Sequence, residues 1–322
     1  MDHAALAREL VRSLRGTRSQ HALNRRLGFA SNVAHSWESG ARCPKASDFF
    51  RLAELAHIDL ALVLCEFSPD GALELEGKVN SRENLQRWLA SLCHGRSRAA
   101  LGQALNCNRN TVARWLSGAT EPQLVELLRL VEFATLRLID FVARFADPAT
   151  LPSLRRAYRD LSRQRRAAYE LPWAQAVLHA LELELYRAQP KHTPGLIASR
   201  LGITLAEEEQ ALSALAAARQ IRRVGAKWVS RRILTVDTRT NPEANLGLKR
   251  YFAQVGVERL ARPTLPAQGQ FSYNLFAISD DGLERIRQAH LQYFERLRAI
   301  VAECQNPTRV VLANVQLLPL DG

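Results

Sequence analysis

Long apolar runs are missing from this chain. No stretch of about 18 consecutive apolar residues occurs, so no membrane-spanning helix is expected. The opening MDHAALAREL has no apolar signal core, which argues against secretion and for the cytoplasm. Cysteine is sparse and unpatterned: five residues, at positions 43, 65, 93, 107 and 304, with no C-x-x-C. A disulfide scaffold is therefore not expected, and free thiols in a reducing compartment are. The P-loop, G-x-G-x-x-G and G-x-S-x-G signatures are all missing, and the histidines do not pair at metal-ligand spacing. Asp280-Asp281 reads as a helix cap rather than a carboxylate dyad. Tyr273, Phe271 and Phe276 read as core positions of a strand before they read as a pocket lining. No catalytic residue, metal or cofactor is assigned, and the chain is not expected to be an enzyme.

What is in excess is positive charge. Lys and Arg number 44 against 32 Asp and Glu, for a net charge of +12 and a pI near 10.1. Such a balance favours a polyanion, DNA or RNA, as partner. With 322 residues, 47% of them hydrophobic, there is material for two or three domains.

Residues 18–44, RSQHALNRRLGFASNVAHSWESGARCP, read as two short helices about a tight turn. The Ser19 hydroxyl is placed to cap the free N–H groups of the first helix. Ala22, Leu23 and Leu27 give that helix an inward face. Gly28 then stops it, because glycine accepts the left-handed turn cheaply. The second helix is expected over residues 31–38, anchored by Val33 and Trp37 one turn apart. Ser31, Asn32, His35 and Ser36 are left facing out, and all four hydrogen-bond. Gly40 and Pro44 end the unit.

The unit occurs twice. A shift of 78 positions overlays the sequence on itself without a gap. Trp37 falls on Trp115, Leu23 on Leu101, Leu27 on Leu105, Asn32 on Asn110 and Pro44 on Pro122, and the match runs on to Phe67 over Phe145. A duplicated all-helical module explains this. In the second copy Gly28 becomes Asn106, which also tolerates the left-handed turn, Gln20 becomes Arg98, and Glu38 becomes Leu116. Residues 10–45 hold seven Lys/Arg against one acid, and residues 87–120 hold five against none. The acids gather in the helices that follow, at Glu54, Glu66, Glu126 and Glu132, as supporting rather than phosphate-facing surface would have it.

The stretch resembles the DNA-binding modules of the XRE (lambda-repressor-like) family in Ser19-Gln20, Leu27-Gly28, Trp37-Glu38 and the Gly40…Pro44 close. The resemblance implies that the second helix of each pair lies in a major groove of double-stranded DNA. On that reading the first copy makes its contacts through Arg18, Gln20, Ser31, Asn32, His35, Ser36 and Arg42. The second copy uses Arg96, Arg98, Arg109, Asn110, Thr111, Ala113 and Arg114. Its face suits DNA better, since arginine pairs bidentately with guanine and asparagine with adenine.

The remaining chain is read in order. A turn at Pro69-Asp70-Gly71 joins the copies, setting domains at residues 1–76 and 77–147. Residues 148–170 form a connecting helix carrying six arginines, Arg155, Arg156, Arg159, Arg163, Arg165 and Arg166, either a phosphate grip or a solvated face. Residues 171–237 read as a winged helix: a helix over 173–188, LIASRLGI ending at Gly202, a third helix capped by Thr204, and two short strands around Gly225-Ala226. Glu207, Glu208 and Glu209 open the third helix and argue against its touching phosphates, whereas the wing is basic, at Arg222, Arg223, Lys227, Arg231 and Arg232. Residues 238–322 are expected to form a helix over 241–262, a strand over 270–279, a long helix to about 305 and a strand over 308–318, with Ile233 to Val236 or a partner subunit completing the sheet. This half resembles an uncharacterised C-terminal domain that accompanies helix-turn-helix modules in some bacterial regulators, on LIASRLGI…LSALAAARQIRRVGAKW, FSYNLFAIS and NVQLLPL.

The expectation is thus a mainly α chain, with two tandem lambda-repressor-like helical domains, then a winged helix and a small α/β domain. It is read as a cytoplasmic, sequence-specific transcriptional regulator binding double-stranded DNA. The C-terminal half would serve dimerisation or sensing, which implies a homodimer and leaves room for a small-molecule or peptide effector. The rival expectation is a protein- or peptide-binding helical scaffold whose modules have degenerated.

Overall fold

The computed structural model describes residues 1–67, 75–93, 97–231, 241–261 and 269–320. The chain is mainly helical, with seventeen helices and one two-stranded sheet among those residues. None of these helices is long and apolar enough to cross a membrane. The chain divides into two compact units, Met1–Leu161 and Ser162–Gly322.

The first unit is built from two sets of five helices. The first set is α1 (His3–Arg15), α2 (Gln20–Leu27), α3 (Val33–Ser39), α4 (Ala46–Leu55) and α5 (Leu60–Glu66). The second is α6 (Arg82–Leu92), α7 (Arg98–Leu105), α8 (Arg109–Leu116), α9 (Leu124–Thr135) and α10 (Leu138–Ala143). The signals that start and stop them are those the sequence offers. Ser19 Oγ accepts from Ala22 N at 3.1 Å, and Ser97 Oγ from Ala100 N at 3.1 Å. α2 stops at Gly28 with φ 78°, and α7 at Asn106 with φ 54°, both left-handed. A short polar side chain that bonds locally makes asparagine the usual substitute for glycine there. Trp37 and Trp115 are both buried.

A boundary at residue 76 is expected from the sequence, yet the two sets share one hydrophobic core across it. Aromatic rings join them: Phe49 meets Phe145 at 4.8 Å, Phe67 meets Phe141 at 5.4 Å, and Phe50 meets Trp88 at 5.9 Å between centroids. Each such pair adds about 0.5–1.5 kcal/mol beyond the area it buries. The expected joint at Pro69-Asp70-Gly71 lies outside the described residues.

The contacts at the bridge between the sets are reciprocal. Ala46 N donates to Pro122 O at 3.0 Å, and Leu124 N donates to Pro44 O at 2.9 Å, around an antiparallel bridge of Lys45 with Gln123. Ser47 N donates to Glu121 Oε2, while the N–H groups of Val125 and Leu124 stand against the Cys43 thiol. His3 at the start of α1 bonds Glu132 of α9, and Asn80 just before α6 donates to Glu54 of α4. Glu66 and Arg144, the same position in the two copies, pair with each other.

α11 (Pro152–Glu170) follows as one 19-residue helix. The second unit continues with α12 (Ala174–Ala180), α13 (Glu184–Arg187), α14 (Leu196–Leu201), α15 (Leu205–Ala217), and the strands β1 (Ile221–Val224) and β2 (Lys227–Ser230). The single helix expected over 173–188 breaks between Ala180 and Glu184; Leu181 and Leu183 at the break are buried in this unit's core. β1 and β2 form an antiparallel hairpin in which Ile221 faces Ser230 and Val224 faces Lys227, turning at Gly225-Ala226 as expected. The three glutamates of α15 are not three exposed charges. Glu207 closes a capping box with Thr204, and Glu208 is fully buried, bonded to Gly195 N and Ala198 N at the start of α14. Only Glu209 is left exposed, so the expected acidic face is much weaker than the sequence suggests.

Beyond lie α16 (Pro242–Leu260) and α17 (Asp280–Glu303). The strands expected over 270–279 and 308–318 are not formed. Both segments are extended, but neither pairs with any described strand, and the expected small α/β domain is not assembled. The physical reason is that alternation specifies a strand only once a neighbour accepts its backbone bonds. The third strand expected at Ile233 to Val236 lies outside the described residues.

Candidate nucleic-acid interface

The outward face of α8 is an open cationic surface of the first unit. Val112 and Trp115 anchor the helix inward, one turn apart and both buried. Arg109, Asn110 and Arg114 are exposed, and none of their side chains bonds to a described residue. Arg98, which opens α7, is exposed in the same way. Thr111 and Ala113 are half-buried at the edge of the face, and Arg96 lies outside the described residues.

The local backbone explains why Asn110 is unoccupied. In the first copy the turn between helices is held by Asn24, which is buried. Asn24 Oδ1 accepts from Ala34 N at 2.8 Å, and its Nδ2 donates to Asn32 Oδ1 at 2.9 Å. Asn32 is the cap of α3, also accepting from His35 N at 3.3 Å. In the second copy the residue at the Asn24 position is Gly102. With no side chain there, the turn closes directly: a Cβ at Gly102 would lie 2.8 Å from Cys107 O and 3.2 Å from Arg109 N. The helix therefore starts two residues earlier, capped by Asn108, whose Oδ1 accepts from Asn110 N at 2.9 Å. Asn110 is thereby moved from cap to outer face. Gly102→Ala should push these backbones apart and destabilise the unit by about 1–3 kcal/mol, as overpacking does. A lower urea midpoint at unchanged slope checks this.

The first copy's expected contacts are more fully used inside the protein. Arg18 reaches Leu55 O at 3.2 Å and Arg15 O at 3.4 Å, so it closes the end of α4. Gln20 Nε2 donates to Glu38 Oε2 at 2.9 Å. Ser36 Oγ turns back to Val33 O at 2.8 Å. Ser31, His35 and Arg42 are exposed, with no side-chain bond to a described residue. Buried Glu38 holds the rest: Arg15 Nε and Nη2 bond its two oxygens, and Arg12 Nη2 donates to its carbonyl at 2.7 Å. Burial pushes the Glu38 carboxyl up, but the hydrogen bonds of Arg15 and Gln20 and the charges of Arg15 and Arg12 outweigh it, leaving it below its ordinary value. In the second copy the four positions become Ala90, Cys93, Arg98 and Leu116. The ion cluster is gone as a set, and Arg98 has no buried acid to hold it.

Sequence reasoning passed over Arg25 and Arg26. They end α2, are exposed, and make no side-chain bond to a described residue. Their signal in the sequence is an adjacent basic pair in the last turn of the helix, which adds to the positive charge of residues 10–45. The first copy thus carries free cations on α2, and the second on α8.

What fold and surface define together is a mainly helical chain with a duplicated helical pair, one copy of which bears an open cationic face. The chain belongs to the family described as a domain of unknown function (DUF4423), which matches residues 154–320. No curated protein matches the chain, and no solved structure does.

Proposed function

We propose that the chain is a sequence-specific regulator that binds double-stranded DNA through tandem lambda-repressor-like helix-turn-helix modules. The observation that carries the reading is the outer face of α8. Two arginines and an asparagine stand exposed, bonded to no described residue, on a helix whose opposite side is locked into the core. In a groove, such arginines fix register on phosphates or pair with guanine, and Asn110 pairs with adenine. The second unit is read as a winged helix, α12 to β2, followed by a dimerisation or sensing region. Its apolar, unpaired segments at 271–278 and 311–318 favour completion by a second copy in a cytoplasmic homodimer.

A salt titration tests DNA binding directly. Fluorescence anisotropy of a labelled mixed-sequence duplex with the full chain should give log affinity falling linearly with log salt. The slope should be about −0.9 per phosphate neutralised, so between about −3 and −6 if three to six cations engage. A flat profile would instead favour the protein-binding scaffold.

A further inference from the structure

The duplication could place its two copies along a line, as beads, or about an axis, as a dimer. These differ in what the contacts must look like. When two like bodies are related by translation, patch A of one meets a different patch B of the other, and no contact is returned. When they are related by a twofold axis, every contact occurs twice with the partners exchanged.

At the bridge between its two sets of helices the first unit shows the second pattern. Ala46 N to Pro122 O is returned by Leu124 N to Pro44 O, position for position under the 78-residue shift. Ser47 N bonds Glu121, and at the exchanged positions the Val125 N–H lies near the Cys43 thiol. The bond of His3 with Glu132 is answered, one position off the exact shift, by that of Asn80 with Glu54. A residue on such an axis meets its own counterpart, and Lys45 with Gln123, and Glu66 with Arg144, do so. Glu66 and Arg144 also make the pair of opposite charge, which two identical subunits could not do at that point.

We infer that the first unit of each chain is an internal pseudo-dimer, reading two unequal DNA half-sites in inverted orientation within one polypeptide, whether or not the second unit pairs with another copy. This rests on the DNA reading above and adds the layout of the site. The inequality follows from the two faces: the second copy offers Arg109, Asn110 and Arg114 to one half-site, while the first has tied up Gln20, Asn32 and Ser36. Covalent fusion removes the need for the halves to match, and the Asn24-to-Gly102 change lets each hold its turn differently.

The bridge also limits the spacing. The last residue of α3, Ser39, is six steps from Lys45, and the last residue of α8, Leu116, is seven steps from Gln123. At roughly 3.6 Å per residue these connections span at most about 22 Å and about 25 Å. With about 5 Å across the bridge, the ends of α3 and α8 lie within about 52 Å of each other. Their centres lie within about 64 Å, allowing about 6 Å for half of each helix. Half-sites one helical turn apart, roughly 34 Å, fit within that reach, and two turns, roughly 68 Å, do not.

The test is in vitro selection with the purified full-length chain from a randomised 40-base-pair duplex library, about four helical turns long, followed by anisotropy on the enriched sequences. The expected result is a motif of two dissimilar halves, inverted, with centres about 10 base pairs apart. Reversing one half in place, or inserting about half a turn between the halves, should lower affinity at least about tenfold. Selection with the Arg109→Ala, Arg114→Ala variant should blank one half of the motif and keep the other. Enrichment of a direct repeat, or of a lone half-site, overturns the pseudo-dimer layout and leaves DNA binding standing. Failure to enrich any sequence overturns the DNA reading itself, and this inference with it.

Discussion

Replacing Arg109 and Arg114 together by alanine should reduce affinity for the selected duplex by about a thousandfold near 0.1 M salt. A good bidentate contact to a base is worth about 1–3 kcal/mol, and two at the middle of that range make about 4 kcal/mol. The protein itself should be unaffected. Neither side chain bonds to a described residue, so thermal midpoints of wild type and variant should agree within a degree or so. The salt dependence separates the two ways an arginine acts. If it reads a base, specificity relaxes and the slope stays; if it grips a phosphate, affinity falls for all sequences and the slope weakens by about 0.9. Asn32→Ala provides the contrast. Its carbonyl oxygen already accepts from Asn24 and from His35 N, so its loss should appear mainly as about 1 kcal/mol of stability. Equal affinity of wild type and double variant would remove the observation on which the proposed function stands.

The elements of this fold that are governed by neighbours in sequence were legible before the structure. Serine caps at 19 and 97, the left-handed stops at Gly28 and Asn106, and the tryptophan anchors at 37 and 115 are local choices, each repeated at the same shift. The hairpin at Gly225-Ala226 belongs with them. What depends on remote partners was not legible. Gly102 gains its reason only from the close approach of Cys107 O across the turn. Glu208 reads as one of three surface acids until the N–H groups of Gly195 and Ala198 meet it. The segments at 270–279 and 308–318 have the composition of strands and lack the neighbour that makes one. The reciprocity of the two copies is beyond reach altogether, because a repeat in sequence says nothing about whether its units are related by translation or rotation. On the α8 face Arg109, Asn110 and Arg114 stand outside as expected while Thr111 and Ala113 are half-buried; the sequence could not tell that Asn32, with the same name and the same place as Asn110, is a cap.

The same contrast between the copies yields the largest effect expected on stability. Arg15→Ala strips the Glu38 carboxylate, only 6% exposed, of its principal partner. Arg12 stays about 4.0 Å away and Gln20 keeps one bond, which do not replace it. Removing one member of a buried pair costs about 3–5 kcal/mol, because the charge left behind is desolvated and unbalanced. The acid dependence carries a sign. In the wild type the Glu38 pKa is depressed below 4.5, so its contribution is whole at neutral pH and is lost as the pH falls through the folded-state value. In the variant burial prevails, the carboxyl rises, and protonation relieves it. The gap in urea stability between the two proteins should therefore be widest near neutral pH and narrow as the pH drops below about 4.5. The second copy supplies the compensated state: Ala90, Cys93 and Leu116 occupy the positions of Arg12, Arg15 and Glu38. Arg12→Ala, Arg15→Cys and Glu38→Leu made together should recover most of what Arg15→Ala loses, since removing the acid with its arginines leaves no buried charge unpaired. If the triple variant is no more stable than Arg15→Ala, Glu38 and its arginines are not acting as one electrostatic group, and the two copies differ for some other reason.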